Sequence, residues 1–221
     1  MFSNMEHKMN NNKHPDKETT RIEAFSDGVF AIAITLLILE LIAIMHPQND
    51  ETLLNLLLNN WQSLMAFAIG FLTILICWIN HHLIFTYINK SDSNLMWVNG
   101  FVLFVVTFTP FPTAILAGYF VKEQQHAMAF FGFNYFLMSL AAYCITAYTY
   151  NKHLIAEDSR ELYFIFKKIW LYCSLYTFII FFVCFISVPV AIFFYCLMFV
   201  VFAYPKEFAT RILKRKHNRK K

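Results

Sequence analysis

The chain has 221 residues, of which 58% are hydrophobic, 19% aromatic and only 14% charged. A soluble globule carries about a quarter of its residues charged, so this composition excludes one and points to an all-α integral membrane protein with a single membrane domain. The 26 Phe against 5 Gly and 6 Pro suit long helices in lipid and leave few places for loops.

The first nineteen residues are polar and read as an N-terminal tail. No small-residue cleavage site follows the first apolar run, which is therefore expected to be a retained span. A crossing needs roughly 20 mostly apolar residues. Four candidates stand out, at 22–45, 61–88, 95–119 and 126–150. The last apolar stretch, 169–204, would be about 54 Å long as one helix, too long for one span and short for two. Pro189 offers a break, because proline removes a helical hydrogen bond and biases the residue before it away from the helix.

Six spans place the N-terminus, the loop near Lys90, the loop 151–168 and the C-terminal tail on one side, and every Lys and Arg except Lys122 falls there. The positive-inside rule makes that side cytoplasmic. The expected organisation is a cytoplasmic tail (1–19), a six-helix transmembrane domain (20–205) and a basic cytoplasmic tail (206–221), in the cell membrane. The tail KEFATRILKRKHNRKK is read as fixing topology and touching anionic membrane lipid, with no nucleic acid as partner. Cys77, Cys144, Cys173, Cys184 and Cys196 lie inside apolar runs without CxxC spacing, so neither a disulfide nor a metal site is expected.

The first span carries an unusual element, Phe25-Ser26-Asp27-Gly28. Thr20-Arg21-Ile22-Glu23 has the form of a capping box, which predicts a helix start at Thr20 and places Asp27 inside the helix near the membrane boundary. An ionisable group at that depth needs a partner, and the alternatives are an ion or proton site and a polar clasp between helices. Direction favours the clasp. With Ile32 at zero and 100° per residue, Arg21, Phe25, Thr35, Leu36 and Leu39 fall within about 60° of it, whereas Ser26, Asp27 and Glu23 point away by about 120° or more.

At these residues the chain resembles the bacterial form of the lysosomal potassium channel family (transmembrane protein 175). The likeness rests on R-x-x-x-F-S-D-G, here Arg21, Phe25, Ser26, Asp27 and Gly28, followed by VFAIAITLLILEL. It continues in CWINHH (Cys77 to His82) and in Asn99 with TPFPTAIL (Thr109 to Leu116). The resemblance implies a homotetramer of six-helix subunits whose first helices line one central potassium-conducting pore. It implies an apolar constriction and gate at Ile32, with Leu36 and Leu39 further along, and makes Thr35 a possible selectivity layer. It also implies a structural polar network around the FSD element, with Arg21, Phe25, Ser26, Asp27, His81 and Asn99 as members. No cofactor is implied beyond the permeant potassium ion. The T-V-G-Y-G filter and arginine-rich voltage-sensor spacing are both absent.

Adjacent His81 and His82 point about 100° apart on a helix, poor geometry for sharing a metal. Hydrogen bonding to Ser26 or Asp27 is the expected role. Glu40 reads as a solvated acid at the outer end of the first helix; Asp50 and Glu51, in a following loop without Lys or Arg, are expected to make that mouth mildly cation-attracting. Arg21 is expected to pair with Glu23 or Asp27 of a neighbouring subunit. Two other classes remain beside a channel. One is a proton-coupled secondary cation transporter using Asp27 and His81, and the other a membrane hydrolase built on Ser26, Asp27 and His81. No sequence motif of an enzyme supports the latter.

Overall fold

The computed structural model describes residues 17–44 and 52–218, and apart from short connections these residues are helical. The helices are α1 (Lys17–Ile44), α2 (Leu53–Asn59), α3 (Trp61–Phe85), α4 (Ser93–Phe108), α5 (Pro110–Tyr119), α6 (Gln124–Asn151), α7 (Arg160–Val183), α8 (Val188–Ala203) and α9 (Pro205–Asn218). The pairing outside helices is an isolated antiparallel bridge, Ile88 to Ile155. Among the described residues five spans are long and apolar enough to cross a membrane, with α4 and α5 together forming one, and apolar α8, bent by 74° from α9, brings the number to six if it also crosses. The chain is a multi-pass membrane protein.

Helix ends follow local chemistry. Asp92 caps α4 by accepting from the Leu95 amide at 2.8 Å, and its other carboxylate oxygen accepts from the Tyr148 hydroxyl at 2.6 Å. Prolines occupy the first turns of α5 and α8, where a missing N–H costs nothing. The bridge at Ile88, together with Asn89 N donating to Leu154 O at 2.9 Å, binds the α3–α4 loop to the α6–α7 loop.

Many threonine hydroxyls inside the bundle bond their own helices, as a medium without water favours. Thr73, Thr113, Thr146, Thr149 and Thr177 each donate to the carbonyl four residues earlier. Several then reach across helices. Ser139 meets Thr177 at 2.8 Å and Thr149 meets Tyr163 at 2.7 Å, zipping α6 to α7, while Thr73 meets Tyr135 at 2.6 Å between α3 and α6. Tyr135, Tyr163 and Phe166 are the largest fully buried side chains.

Several boundaries differ from those the sequence predicts. Helix α1 already runs at Lys17, so Thr20 lies within it and the capping box does not form; the Glu23 carboxylate instead meets His82 on α3. The third span is interrupted at Thr109, which precedes Pro110 and accepts from the Asn134 amide through its hydroxyl at 3.1 Å. Helix α7 begins at Arg160, so the loop expected at 151–168 shrinks to residues 152–159. Lys167 and Lys168 lie on that helix, with their ammonium groups 4.7 Å from the rings of Tyr150 and Phe164. Long stems let such residues stay helical while the charge reaches the interface. The break between the last two apolar helices falls at residues 184–187, and Pro189 sits in the first turn of α8 rather than at the break. The N-terminal residues 1–16, Asp50, Glu51 and the side chain of Glu40 lie outside the described residues.

Helix α1 packs against α3, α4 and α5. Its covered edge is Ile22, Ser26, Phe30, Ala33 and Leu37, all buried. Spacings of four, four, three and four residues keep these side chains on one side of a helix of 3.6 residues per turn.

Candidate functional site

The polar residues at the start of α1 meet the end of α3 in antiparallel order. Asp27 Oδ1 accepts the indole N–H of Trp78 at 2.8 Å, and Glu23 Oε1 lies 2.9 Å from His82 Nδ1. Four residues separate the acids, and four separate Trp78 from His82, so one face of each helix matches the other turn for turn. Nearby, Glu18 accepts from the Ser91 hydroxyl at 2.9 Å, joining the first turn of α1 to the loop before α4.

The third tie is buried. Ser26 Oγ donates to the Ile22 carbonyl at 2.8 Å and accepts from Asn99 Nδ2 at 2.9 Å. Asn99 Oδ1 lies 2.8 Å from His81 Nε2. Because the Asn99 amide group donates to Ser26, its oxygen faces the histidine, and Nε2 must carry the hydrogen. The bond directions are thereby fixed from His81 through Asn99 and Ser26 to the Ile22 carbonyl. Ser26, Asn99 and His81 are all buried, and the imidazole stacks on Phe85 at 4.4 Å and packs against Phe30 at 5.3 Å.

The histidines were expected to bond Ser26 or Asp27 directly. The structure replaces both contacts: His81 reaches Ser26 through Asn99, and Asp27 is held by Trp78. The reason is reach. His81 points into the bundle toward α4, so the α4 amide sits between it and α1. His82 bonds Glu23 rather than Ser26 or Asp27, and Glu23 and Trp78 join the network through the matching i, i+4 spacing on consecutive antiparallel spans, a signal present in the sequence.

The opposite face of α1 is uncovered. Phe25 is 67% exposed, Ile32 60%, Leu36 41% and Leu39 57%, with Thr35 exposed among them. This is the row of side chains that helical direction singled out. Thr35 is its one polar member below Arg21, and its hydroxyl lies 2.8 Å from the Ile32 carbonyl and 3.1 Å from that of Ala31. Its hydrogen is therefore committed to the backbone, and the oxygen lone pairs remain to face outward. Arg21 is exposed in a shallow groove between α1 and α4 beside Phe25, Met96 and Gly100, and among the described residues no acid forms an ion pair with it.

The clasp sets the rotation of α1 about its axis. Three ties to α3 and α4 on one side, with buried Phe30, Ala33 and Leu37 above them, leave the apolar row no choice but to face away from its own subunit. The same bonds separate the groups needed for other chemistry. Ser26 has its hydrogen on a backbone carbonyl and His81 its Nε2 on Asn99, so the serine, aspartate and histidine do not form a nucleophile–base–acid line.

Gly70 of α3 sits where α1 comes closest. A Cβ at that position would lie 3.0 Å from Thr113 Cγ2 and 3.2 Å from Leu37 Cδ2. The glycine lets the three helices approach beside the covered edge of α1.

A sequence model of the endosomal/lysosomal potassium channel TMEM175 matches residues 21–110. A potassium channel of Chamaesiphon minutus is 49% identical over 113 residues, covering 51% of this chain and 56% of the relative. One of Streptomyces collinus is 42% identical over 124 residues, covering 56% and 60%. The chain thus spans a little over half the length of these curated relatives. The crystal structure of a lysosomal potassium-selective TMEM175 homologue from Chamaesiphon minutus superposes with a TM-score of 0.75 at 34% identity, covering 86% of this chain and 99% of that one.

Proposed function

Since the chain belongs to the TMEM175 family of endosomal/lysosomal potassium channels, we propose that four copies assemble into a potassium-permeable channel, with α1 of each lining a central pore. The observation that carries this reading is the exposed row Phe25, Ile32, Thr35, Leu36 and Leu39, opposite a face of the same helix clamped by polar ties. A face so fixed, apolar and uncovered by its own subunit suits a fourfold axis.

Ile32 forms the narrowest ring in this arrangement. At 1.5 Å per residue, Leu36 follows about 6 Å further along the axis and Leu39 about 10 Å. A ring of aliphatic side chains narrower than a hydrated ion forces the ion to shed water or the pore to dewet, which makes it both gate and barrier. Potassium gives up its water more readily than sodium, so the barrier favours it. Between Ile32 and Leu36, Thr35 offers oxygen lone pairs toward the axis, a partial replacement for lost hydration. The protein sits in the cell membrane with both termini in the cytoplasm, and Arg21 lines the inner entrance or pairs with an acid of a neighbouring subunit. Asp27, Ser26, His81 and Asn99 hold the pore helix and do not contact the ion.

Purified protein reconstituted in liposomes with a potassium gradient tests this directly. The expected result is electrogenic potassium flux that continues without a proton gradient. Flux strictly coupled to proton movement is the result that favours a transporter.

A further inference from the structure

The C-terminal helix α9 leaves α8 at a bend of 74° beginning at Pro205. With α8 crossing the bilayer, this angle lays α9 close to the membrane plane. Helix α9 also packs back onto α7 with Ala209 fully buried, so it is part of the folded subunit. Where α7, α8 and α9 meet, an apolar groove opens, with Tyr172 and Tyr176 on one wall, Leu197 and Val201 on another, and Phe208 and Ile212 at its base. It climbs α7 from Ile169 to Tyr176, about 10 Å at 1.5 Å per residue. Tyr172, Leu197 and Ile212 are exposed along it, and none of its lining side chains is charged.

Charge gathers at the mouth. On α9, Arg215 lies about 20° and Arg211 about 60° from Phe208, on the side away from the buried Ala209, so both residues share the apolar side of the helix. Lys168 sits one turn before Tyr172 on α7 and is exposed. Glu207, the one acid of α9, lies about 100° from Phe208 and one turn before Arg211, leaving Arg215 nearest the apolar row. An apolar trough about 10 Å long, with Arg211, Arg215 and Lys168 within one turn of its lining residues on α9 and α7, matches a molecule that has an acyl chain and an anionic head.

We propose that this groove binds an anionic glycerophospholipid, with one acyl chain against Tyr172, Leu197, Val201 and Phe208 and the phosphate between Arg211, Arg215 and Lys168. Planar guanidinium forks suit phosphate oxygens, and the cations stand where the headgroup layer lies. The site is remote from α1 and does not rest on the channel reading.

Native mass spectrometry of the full chain, titrated with phosphatidylglycerol and with phosphatidylcholine of the same chains, tests it. Phosphatidylglycerol is expected to bind more tightly, and the Arg211→Gln/Arg215→Gln variant to lose roughly tenfold of that affinity while keeping its phosphatidylcholine binding. Ile212→Asn is expected to weaken both lipids alike by disturbing the acyl trough. Equal affinity of the native protein for the two lipids overturns the proposal, as does a phosphatidylglycerol preference that survives the double arginine variant.

Discussion

The indole N–H of Trp78 and the carboxylate of Asp27 meet at 2.8 Å, four residues from the contact of His82 with Glu23 on the same two helices. Two ties one turn apart resist rotation of α1 in a way that one alone does not. They place Ser26 and Asp27 on the supporting side of the first helix and leave Phe25 and Ile32 on the free side.

Removing the acid without removing its neighbours isolates that role. Asp27→Ala leaves the indole N–H unpaired, and Trp78→Phe leaves the carboxylate without its donor. A hydrogen bond to a charged group contributes about 1.5–3 kcal/mol, so each is expected to lower the thermal midpoint and, in size-exclusion chromatography, the yield of the proposed tetramer. A stable tetramer with changed ion selectivity would instead put Asp27 in the permeation path.

Asn99 is the more exacting position, because it both donates to Ser26 and accepts from His81. Asn99→Leu strands His81 Nε2 in the bundle interior, at a cost of about 1–3 kcal/mol for the unsatisfied donor. Asn99→Gln keeps both chemistries on a longer stem and is expected to recover part of the loss. Thermal melting of the detergent-solubilised protein orders the three forms.

For the pore, Ile32→Asn widens and wets the proposed constriction. Potassium conductance is expected to rise and the preference over sodium to fall, measured as reversal potentials in planar bilayers under mixed ions. Unchanged conductance and preference would place the constriction elsewhere on α1. Thr35→Val, which keeps shape and removes the oxygen, is expected to lower potassium preference with less effect on conductance.

Gly70→Leu tests the close approach of α3 to α1. Even a methyl group meets Thr113 and Leu37 at 3.0–3.2 Å, and a larger side chain must push the helices apart, at about 1–3 kcal/mol. Lower thermal stability is expected. Gly70→Ala, which asks Thr113 and Leu37 to shift only slightly, is expected to do less harm.

Sequence alone determined which residues share a side of α1. Periodicity fixes which side chains share a side of a helix whatever surrounds it, so Ile32, Thr35, Leu36 and Leu39 separate from Ser26 and Asp27 by arithmetic on 3.6 residues per turn. Composition and the distribution of Lys and Arg similarly predict a membrane protein with six spans. Tertiary structure decided the partners. Whether Asp27 meets a histidine or Trp78, and whether His81 touches Ser26 or reaches it through Asn99, depends on the register and approach of α1, α3 and α4, which no single helix encodes. The same holds for helix ends: Glu23 abandons the capping box for His82, Lys167 and Lys168 join α7 over aromatic rings, and α9 turns through 74° at Pro205. For Glu23 and Lys167 a contact made across helices, to His82 and to the Tyr150 ring, takes the place of the local preference, because a polar group goes to whichever partner the packing brings within reach.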